Sequence, residues 1–205
     1  MKRIVFVLFT SVLFLTSCSI TIDDENVVNQ EKGDGNIVSQ ERTASGFYAV
    51  KMVGTANVNV RQSDEYKVVV TTDNNLQDFV WTEVKNNVLY INTKPNTNIK
   101  PTKLIVDVHL PELQSIDLEG VGNVRLSSGK ASDLKISLTG VGNVDAENFQ
   151  VQNLVIEHSG VGKATVWATN SLNGTLSGIG NILYKGNPTV NLNISGIGKV
   201  KKMVP

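Results

Sequence analysis

The sequence predicts an all-β chain wound as a single-stranded, right-handed parallel β-helix with coils of about 18–20 residues. Three observations carry that prediction. A five-residue phrase, GVGNV and its near-copies, recurs at nearly even spacing. Apolar and polar residues alternate with period two on both sides of every copy. No copy carries a helical period.

The phrase stands at Gly120–Val124 and Gly140–Val144, then as GVGKA from Gly160, GIGNI from Gly178 and GIGKV from Gly196, at intervals of 20, 20, 18 and 18. Four residues before each first glycine stand Ile116, Ile136, Ile156, Gly174 and Leu192, and two before stand Leu118, Leu138, His158, Leu176 and Ile194. Polar residues fill the places between them. After the glycines the apolar column resumes with Val124, Val144, Ala164, Ile182 and Val200. Each copy therefore reads as strand, glycine corner, strand, with one face inward. One coil cannot bury its inner face, but coils stacked about 4.8 Å apart bury a continuous apolar column.

The paired glycines are corner residues: Gly120 and Gly122, Gly140 and Gly142, Gly160 and Gly162, Gly178 and Gly180, Gly196 and Gly198. Lacking a Cβ, they let the chain turn while the neighbouring coil lies close. The apolar residue between each pair (Val121, Val141, Val161, Ile179, Ile197) is expected to plug the corner from inside.

The regular coils begin at about residue 113, and GTANVNV at Gly54–Val60 is an earlier copy of GVGNVRL at Gly120–Leu126. The 66 residues between the two are expected to hold about three irregular coils. Leu76, Phe79, Val80 and Val84 fall at helical spacing, which predicts a short helix or turn over 73–84. Lys199, Lys201, Lys202 and Pro205 are expected to blunt the exposed edge of the last coil.

The N-terminus carries a different signal. Lys2 and Arg3 precede an apolar run from Ile4 to Leu15, too short for an ordinary membrane span. The stretch Leu15-Thr16-Ser17-Cys18 resembles the lipobox of bacterial lipoproteins. That resemblance implies removal of residues 1–17 as a signal peptide and acylation of Cys18, with several acyl chains giving a stable membrane anchor. Cys18 is the only cysteine, so no disulfide can form within the chain. Residues 18–45 are read as the lipidated cysteine and a polar tether, with order beginning near Asn36, and residues 46–205 as the β-helix domain. Without Lys2 and Arg3, 17 basic residues face 19 acidic ones, and no basic patch points to nucleic acid.

The lipobox, GFYAVKMVGTANVNVRQSDEYKVVV, LPELQSIDLEGVGNV and the recurring glycine corners together resemble the auto-transporter adhesin, head GIN domain family over roughly residues 36–205. The resemblance implies a pectin-lyase-like β-helix and a role in cell adhesion, without an established catalytic site.

Each candidate site has a structural counterpart. The Gly-x-Gly phrases lack the third glycine and following helix of a dinucleotide fingerprint, so no nucleotide or other cofactor is expected. Three residues after the first glycines stand Asn57, Asn123, Asn143, Lys163, Asn181 and Lys199. Stacking would join the asparagines in an amide ladder. Asn123, Asn143, Lys163, Asn181 and Lys199 are also the candidate binding residues for a glycan or peptide. Asp117 and Glu157 share an outward column about 9.6 Å apart, two strand spacings, at the upper edge of an inverting glycosidase pair. Ser137 lies between them, and the column reads better as a solvated face. His158 interrupts an apolar column and is expected to fill the space left by Gly174, with its nitrogens satisfied. His109 is the only other histidine, which argues against a metal centre. Trp81 and Trp167 read as packing residues or caps rather than sugar platforms.

The sequence thus predicts a non-catalytic, lipid-anchored envelope protein, held at the membrane through Cys18, with a ligand-binding or adhesive head. The expected partners are a glycan or a surface protein, with self-association through coil edges open. Its expected place is the outer membrane, at the cell surface or the periplasmic face. The alternatives are a structural envelope scaffold and, less favoured, a polysaccharide lyase or hydrolase.

Overall fold

A computed structural model describes residues 30–95 and 97–203. The segment read as a signal peptide and Cys18 lie outside the described residues, as does Pro205. The described chain is all-β. The first half holds β1 (Gln30–Lys32), β2 (Ile37–Arg42), β3 (Ala49–Met52), β4 (Thr55–Gln62), β5 (Lys67–Asp73), a 3-10 turn (Asn74–Phe79), β6 (Val80–Lys85), β7 (Val88–Thr93), β8 (Asn98–Lys100) and β9 (Leu104–Leu110). The second half holds β10 (Ser115–Leu118), the long strands β11 (Val121–Leu138), β12 (Val141–His158) and β13 (Val161–Leu176), then β14 (Ile179–Lys185), β15 (Thr189–Ile194) and β16 (Ile197–Lys202). Fourteen of these strands form one sheet, bent into a nearly closed, barrel-like wall around the core; β1 and β8 pair separately.

The second half stacks as the repeat predicts. Strand β11 lies parallel on β12 with Val121 opposite Val141 and Leu138 opposite His158, an offset of 20 residues throughout. Strands β14 and β16 pair Ile179 with Ile197, an offset of 18. Alternation then fills the interior: Ile116, Ile136 and Ile156 are at most 1% exposed, and Leu118, Leu138, Leu154 and Leu172 are similarly buried. Each such side chain contributes about 1.5–3 kcal/mol by leaving water, so the columns supply the cohesion of the stack. The earlier copy also stacks where its sequence suggests, with Asn57 opposite Asn123 and Val58 opposite Val124.

The 66 residues between the two copies do not form three irregular coils. Strand β7 lies parallel on β3, and β9 lies parallel on β4, so these pieces make one further layer. The rest turns back. Strand β5 runs antiparallel between β2 and β9, and β6 and β7 form an antiparallel pair joined at Asn86 and Asn87, both at positive φ. Asparagine tolerates that left-handed conformation, which a tight hairpin requires. Antiparallel strands close this end of the stack, because the parallel winding cannot continue past a reversal.

Two further expectations are corrected. The short helical turn is confined to Asn74–Phe79, and Val80 and Val84 belong to strand β6. Order is expected to begin near Asn36, where β2 starts at Ile37, but β1 at Gln30–Lys32 adds an earlier strand within the stretch assigned to the tether. Its polar composition reads as solvated because β2 is largely exposed; its backbone pairs with β5. Asp73 secures this segment, accepting backbone N–H groups from Gly35 and Thr102, each at 2.8 Å.

The opposite end of the stack is open. Val190 and Ile194, which continue buried columns, are 40% and 47% exposed. Lys202 continues the column of Ala146, Val166 and Tyr184 and donates to the Asn187 side chain. A lysine at an inward position blunts a sheet edge.

Candidate functional site

The glycine corners are set by close approach between layers. A Cβ on Gly122 would lie 1.8 Å from the Ala56 carbonyl oxygen, and one on Gly142 only 1.6 Å from that of Gly122. Gly142 also has φ +150°, where side chains are rarely tolerated. The first layer shows the reason from the other side. Ala56 occupies a second-glycine position, and β9 joins β4 only from Asn57 onward, leaving room for its methyl group.

The residues between the glycines do not plug the corner. Val121, Val141, Val161, Ile179 and Ile197 are 45–73% exposed. Period-two alternation continues unbroken through the corner: Leu118, Gly120 and Val124 face in, while Glu119, Val121 and Asn123 face out. The glycines occupy inward positions from which a side chain is excluded. The branched residues form an outward aliphatic row, packed on one another at the strand spacing.

Beside that row runs the amide ladder. Asn123 Nδ2 donates to Asn57 Oδ1 and Asn143 Nδ2 donates to Asn123 Oδ1, both at 2.9 Å. The same oxygens accept backbone N–H groups of Asn123 and Asn143. Lys163 N donates to Asn143 Oδ1 and Lys199 N to Asn181 Oδ1, so the lysines end each run. The candidate residues Asn123, Asn143, Lys163, Asn181 and Lys199 therefore lie in one exposed column, but the amides of Asn123 and Asn143 are engaged with one another. Their geometry is that of corner support.

The outward carboxylates are paired with lysines. Asp117, Ser137 and Glu157 follow one another in register. Lys51 bridges Asp117 at 3.2 Å and also contacts Glu119, while Lys135 meets Glu157 at 2.9 Å. The Glu119 contact, opposed by partial burial and aided by Asp117, holds the Lys51 amine above its ordinary pKa. Asp117 and Glu157 thus face separate ammonium groups rather than a common reacting centre. No group of three or more His, Cys, Asp or Glu suited to a metal occurs among the described residues.

His158 is fully buried, but it does not fill a gap at Gly174. A Cβ on Gly174 would collide with the Ile156 carbonyl at 1.9 Å, so no such gap exists. His158 instead reaches beneath the next corner, where Nε2 lies 2.9 Å from the Gly162 carbonyl. Only an Nε2–H can donate there, which leaves Nδ1 as an acceptor without a partner in the apolar core. Trp81 is 40% exposed, whereas Trp167 is half-buried with Lys185 Nζ 4.1 Å above its ring.

A depression of about 990 Å³ lies away from the corner, across the middles of β11 and β12 and reaching Thr169 of β13. Gln62, Lys130, Asp133, Gln150, Gln152 and Asn153 give it a polar lining. Sequence reading passed over it because these residues lie outside the repeated phrase. The available signal was the change of period from 20 to 18, which falls here. Val144 pairs with Ala164 at an offset of 20, whereas Gln150 pairs with Trp167 at 17 and Asn153 with Ser171 at 18.

Stacked strands that hold rows of polar side chains at fixed spacing, with the central carboxylates tied to lysines, define a rigid module for presenting a surface. The family model described as putative auto-transporter adhesin, head GIN domain, matches residues 46–128 and 119–188, and the chain belongs to that family. The fold is similar to that of a putative adhesin from Bacteroides fragilis, at 21% identity and a TM-score of 0.58, over 84% of this chain and 99% of that one. It also resembles a putative lipid binding protein from Parabacteroides distasonis, at 22% identity and a TM-score of 0.49, over 86% and 100% of the two chains. A third similar structure is a putative cell adhesion protein from Clostridium sporogenes, at 16% identity and a TM-score of 0.43, over 82% and 99%. No curated protein matches the sequence. An adhesin family suggests a role in adhesion and a place in the cell envelope or at the surface. No helix among the described residues is long and apolar enough to cross a membrane.

Proposed function

We propose that the protein is a non-catalytic, lipid-anchored adhesion module of the outer membrane, whose head is a single-stranded, right-handed parallel β-helix that binds a glycan or protein. The observation that carries the reading is the register. Constant offsets of 20 and then 18 residues hold equivalent outward side chains in rigid rows, the preorganisation a binding face needs. The family supports adhesion as the use of those rows. The carboxylates of the central column are each neutralised by lysine, which favours binding over acid–base chemistry. Anchoring rests on Leu15-Thr16-Ser17-Cys18, where an acylated cysteine would tether the head without a spanning helix.

Two measurements test this. Cys18→Ala should move the protein from the membrane fraction to the soluble one; retention in the membrane would refute acylation as the anchor. Cells lacking the protein should adhere less to surfaces coated with glycans or host proteins. Unchanged adherence would refute the adhesive role.

A further inference from the structure

The depression across β11–β13 has a structural origin that makes it a built groove. Between Ala146 and Asn153 the pairing of β12 with β13 slips, because β13 reaches the same column in fewer residues. Phe149, fully buried, takes up the extra length, and its ring stands where a Cβ on Gly129 would be, 2.4 Å from Cε2.

The polar groups of the groove divide into anchored and free. Gln62 is fixed at both ends, donating to the Pro111 carbonyl and accepting from Lys130 N, each at 2.8 Å. Asn153 is held by Asp133, Asn170 and Ser171. Among the described residues, no hydrogen bond or ion pair engages the side chains of Gln150, Gln152 or Lys130. Lys130 and Gln150 are register partners, so their backbones stand one strand spacing apart, about 4.8 Å, and their side chains leave the same face. A carboxamide offers a donor and an acceptor together, the match for neighbouring hydroxyls of a sugar ring. The exposed face of Val155 adds an apolar patch for the C–H face of such a ring.

At Gln62 and Lys130 the groove continues into a second depression of about 620 Å³ that also contains Arg61, His109 and the carboxylate of Asp64. Arg61, like Lys130, has no ion-pair partner among the described residues. The two cations, Arg61 and Lys130, outnumber the single carboxylate of Asp64, so this end keeps a net positive charge that suits a carboxylate.

We propose that the groove binds a linear oligosaccharide, with neutral sugars along Gln150 and Gln152 and an acidic sugar at the Arg61–Lys130 end. The biological use of such binding rests on the adhesive role proposed above; the binding itself does not. The test is calorimetric titration of the purified protein with extended, β-linked hexasaccharides of glucose, mannose and xylose, and with a xylose hexasaccharide carrying one glucuronate. At least one neutral hexasaccharide should bind saturably, and the glucuronate-bearing one should bind about threefold or more tightly than its neutral parent, an advantage that added salt removes. Gln150→Ala with Gln152→Ala should weaken both about tenfold, the loss of two ordinary hydrogen bonds. Arg61→Ala with Lys130→Ala should remove only the preference for the acid. Asn123→Ala with Asn143→Ala should leave binding unchanged. All altered groove side chains are exposed, and a thermal melt of each variant checks that it is folded. Absence of binding by every hexasaccharide, or wild-type affinity in the Gln150/Gln152 variant, overturns the proposal. Because this assay uses no cells, its failure is separable from a failure of the adhesion reading.

Discussion

Replacing Gly142 by alanine tests the claim that close approach between layers, rather than turning alone, selects the corner glycines. Two penalties combine at this position. Holding a non-glycine residue at φ +150° costs about 1–3 kcal/mol. The new methyl carbon would also stand 1.6 Å from the Gly122 oxygen and 2.7 Å from its carbon, far inside van der Waals contact. The strands are only about 4.8 Å apart, so the carbonyl must swing away and leave its ladder hydrogen bond, at about 1–3 kcal/mol. The expected loss is about 3–5 kcal/mol. Two controls separate the terms. Gly46 has φ +73° with nothing within 4 Å, so Gly46→Ala should cost only the backbone strain, about 1–2 kcal/mol. Gly140 lacks the positive φ, but its Cβ would meet the Gly120 oxygen at 2.0 Å, so Gly140→Ala isolates the contact and should fall between the other two. Urea unfolding followed by circular dichroism gives all three values. A lower m-value in the corner variants would further report loosening of neighbouring layers in a stack of nearest-neighbour contacts. A Gly142→Ala cost within about 1 kcal/mol of Gly46→Ala would refute the close-approach argument.

Three other outcomes follow from the structure. Asn143→Ala removes one amide hydrogen bond and the acceptor for Lys163 N, both exposed, and should lower stability by about 1–2 kcal/mol in urea unfolding. His158→Leu forfeits the bond to Gly162 but replaces a buried unpartnered nitrogen with apolar surface matching Leu138 and Leu176. It should change stability by less than about 1.5 kcal/mol, whereas His158→Ala should cost about 2–5 by leaving a cavity. For Asp73, burial pushes the carboxyl pKa up, but hydrogen bonds from Thr102 and the Gly35 backbone outweigh it, and the net shift is downward. A depressed carboxylate contributes stability above its unfolded pKa, about 3.9, and loses it as pH falls through the lower folded value. Asp73→Asn should therefore flatten the decline of melting temperature below about pH 4, and an unchanged acid limb would refute the assignment.

The repeat was legible because three requirements fall on the same positions: apolar residues inward, polar residues outward, and no Cβ where layers nearly touch. Aligning Gly120, Gly140, Gly160, Gly178 and Gly196 therefore anticipated the register of the stack, including the match of Asn57 with Asn123. Where the reading failed at Val121, the signal was present. Counting by twos from Leu118 puts Val121 outside, and treating the corner as a break in the alternation reversed it. The antiparallel end was not legible in the same way. Strands β5, β6 and β9 alternate as any strand does, and nothing in VVVTTD or LIVDVHL states whether the partner runs with the strand or against it.

The groove lies between these cases, and it shows where a repeat protein leaves room for a site. Positions next to the glycines are committed to closing the layers: Asn123 and Asn143 spend their amides on one another, and the glycines can carry no side chain at all. Positions at the middle of each long strand escape that constraint, and there the layers differ in length. When β13 crosses the same span in fewer residues than β12, the register slips, and Gln152 is left without a partner in the next layer while Gln150 faces Trp167. The repeat supplies rigidity, and the place where its period changes from 20 to 18 supplies an address for a ligand. Inserting two residues into β13 between Val166 and Trp167, where one step of β13 faces four of β12, should therefore fill the groove and abolish oligosaccharide binding while leaving the corner ladder and the fold intact. Retained binding by a folded insertion variant would show that the register slip is incidental to recognition.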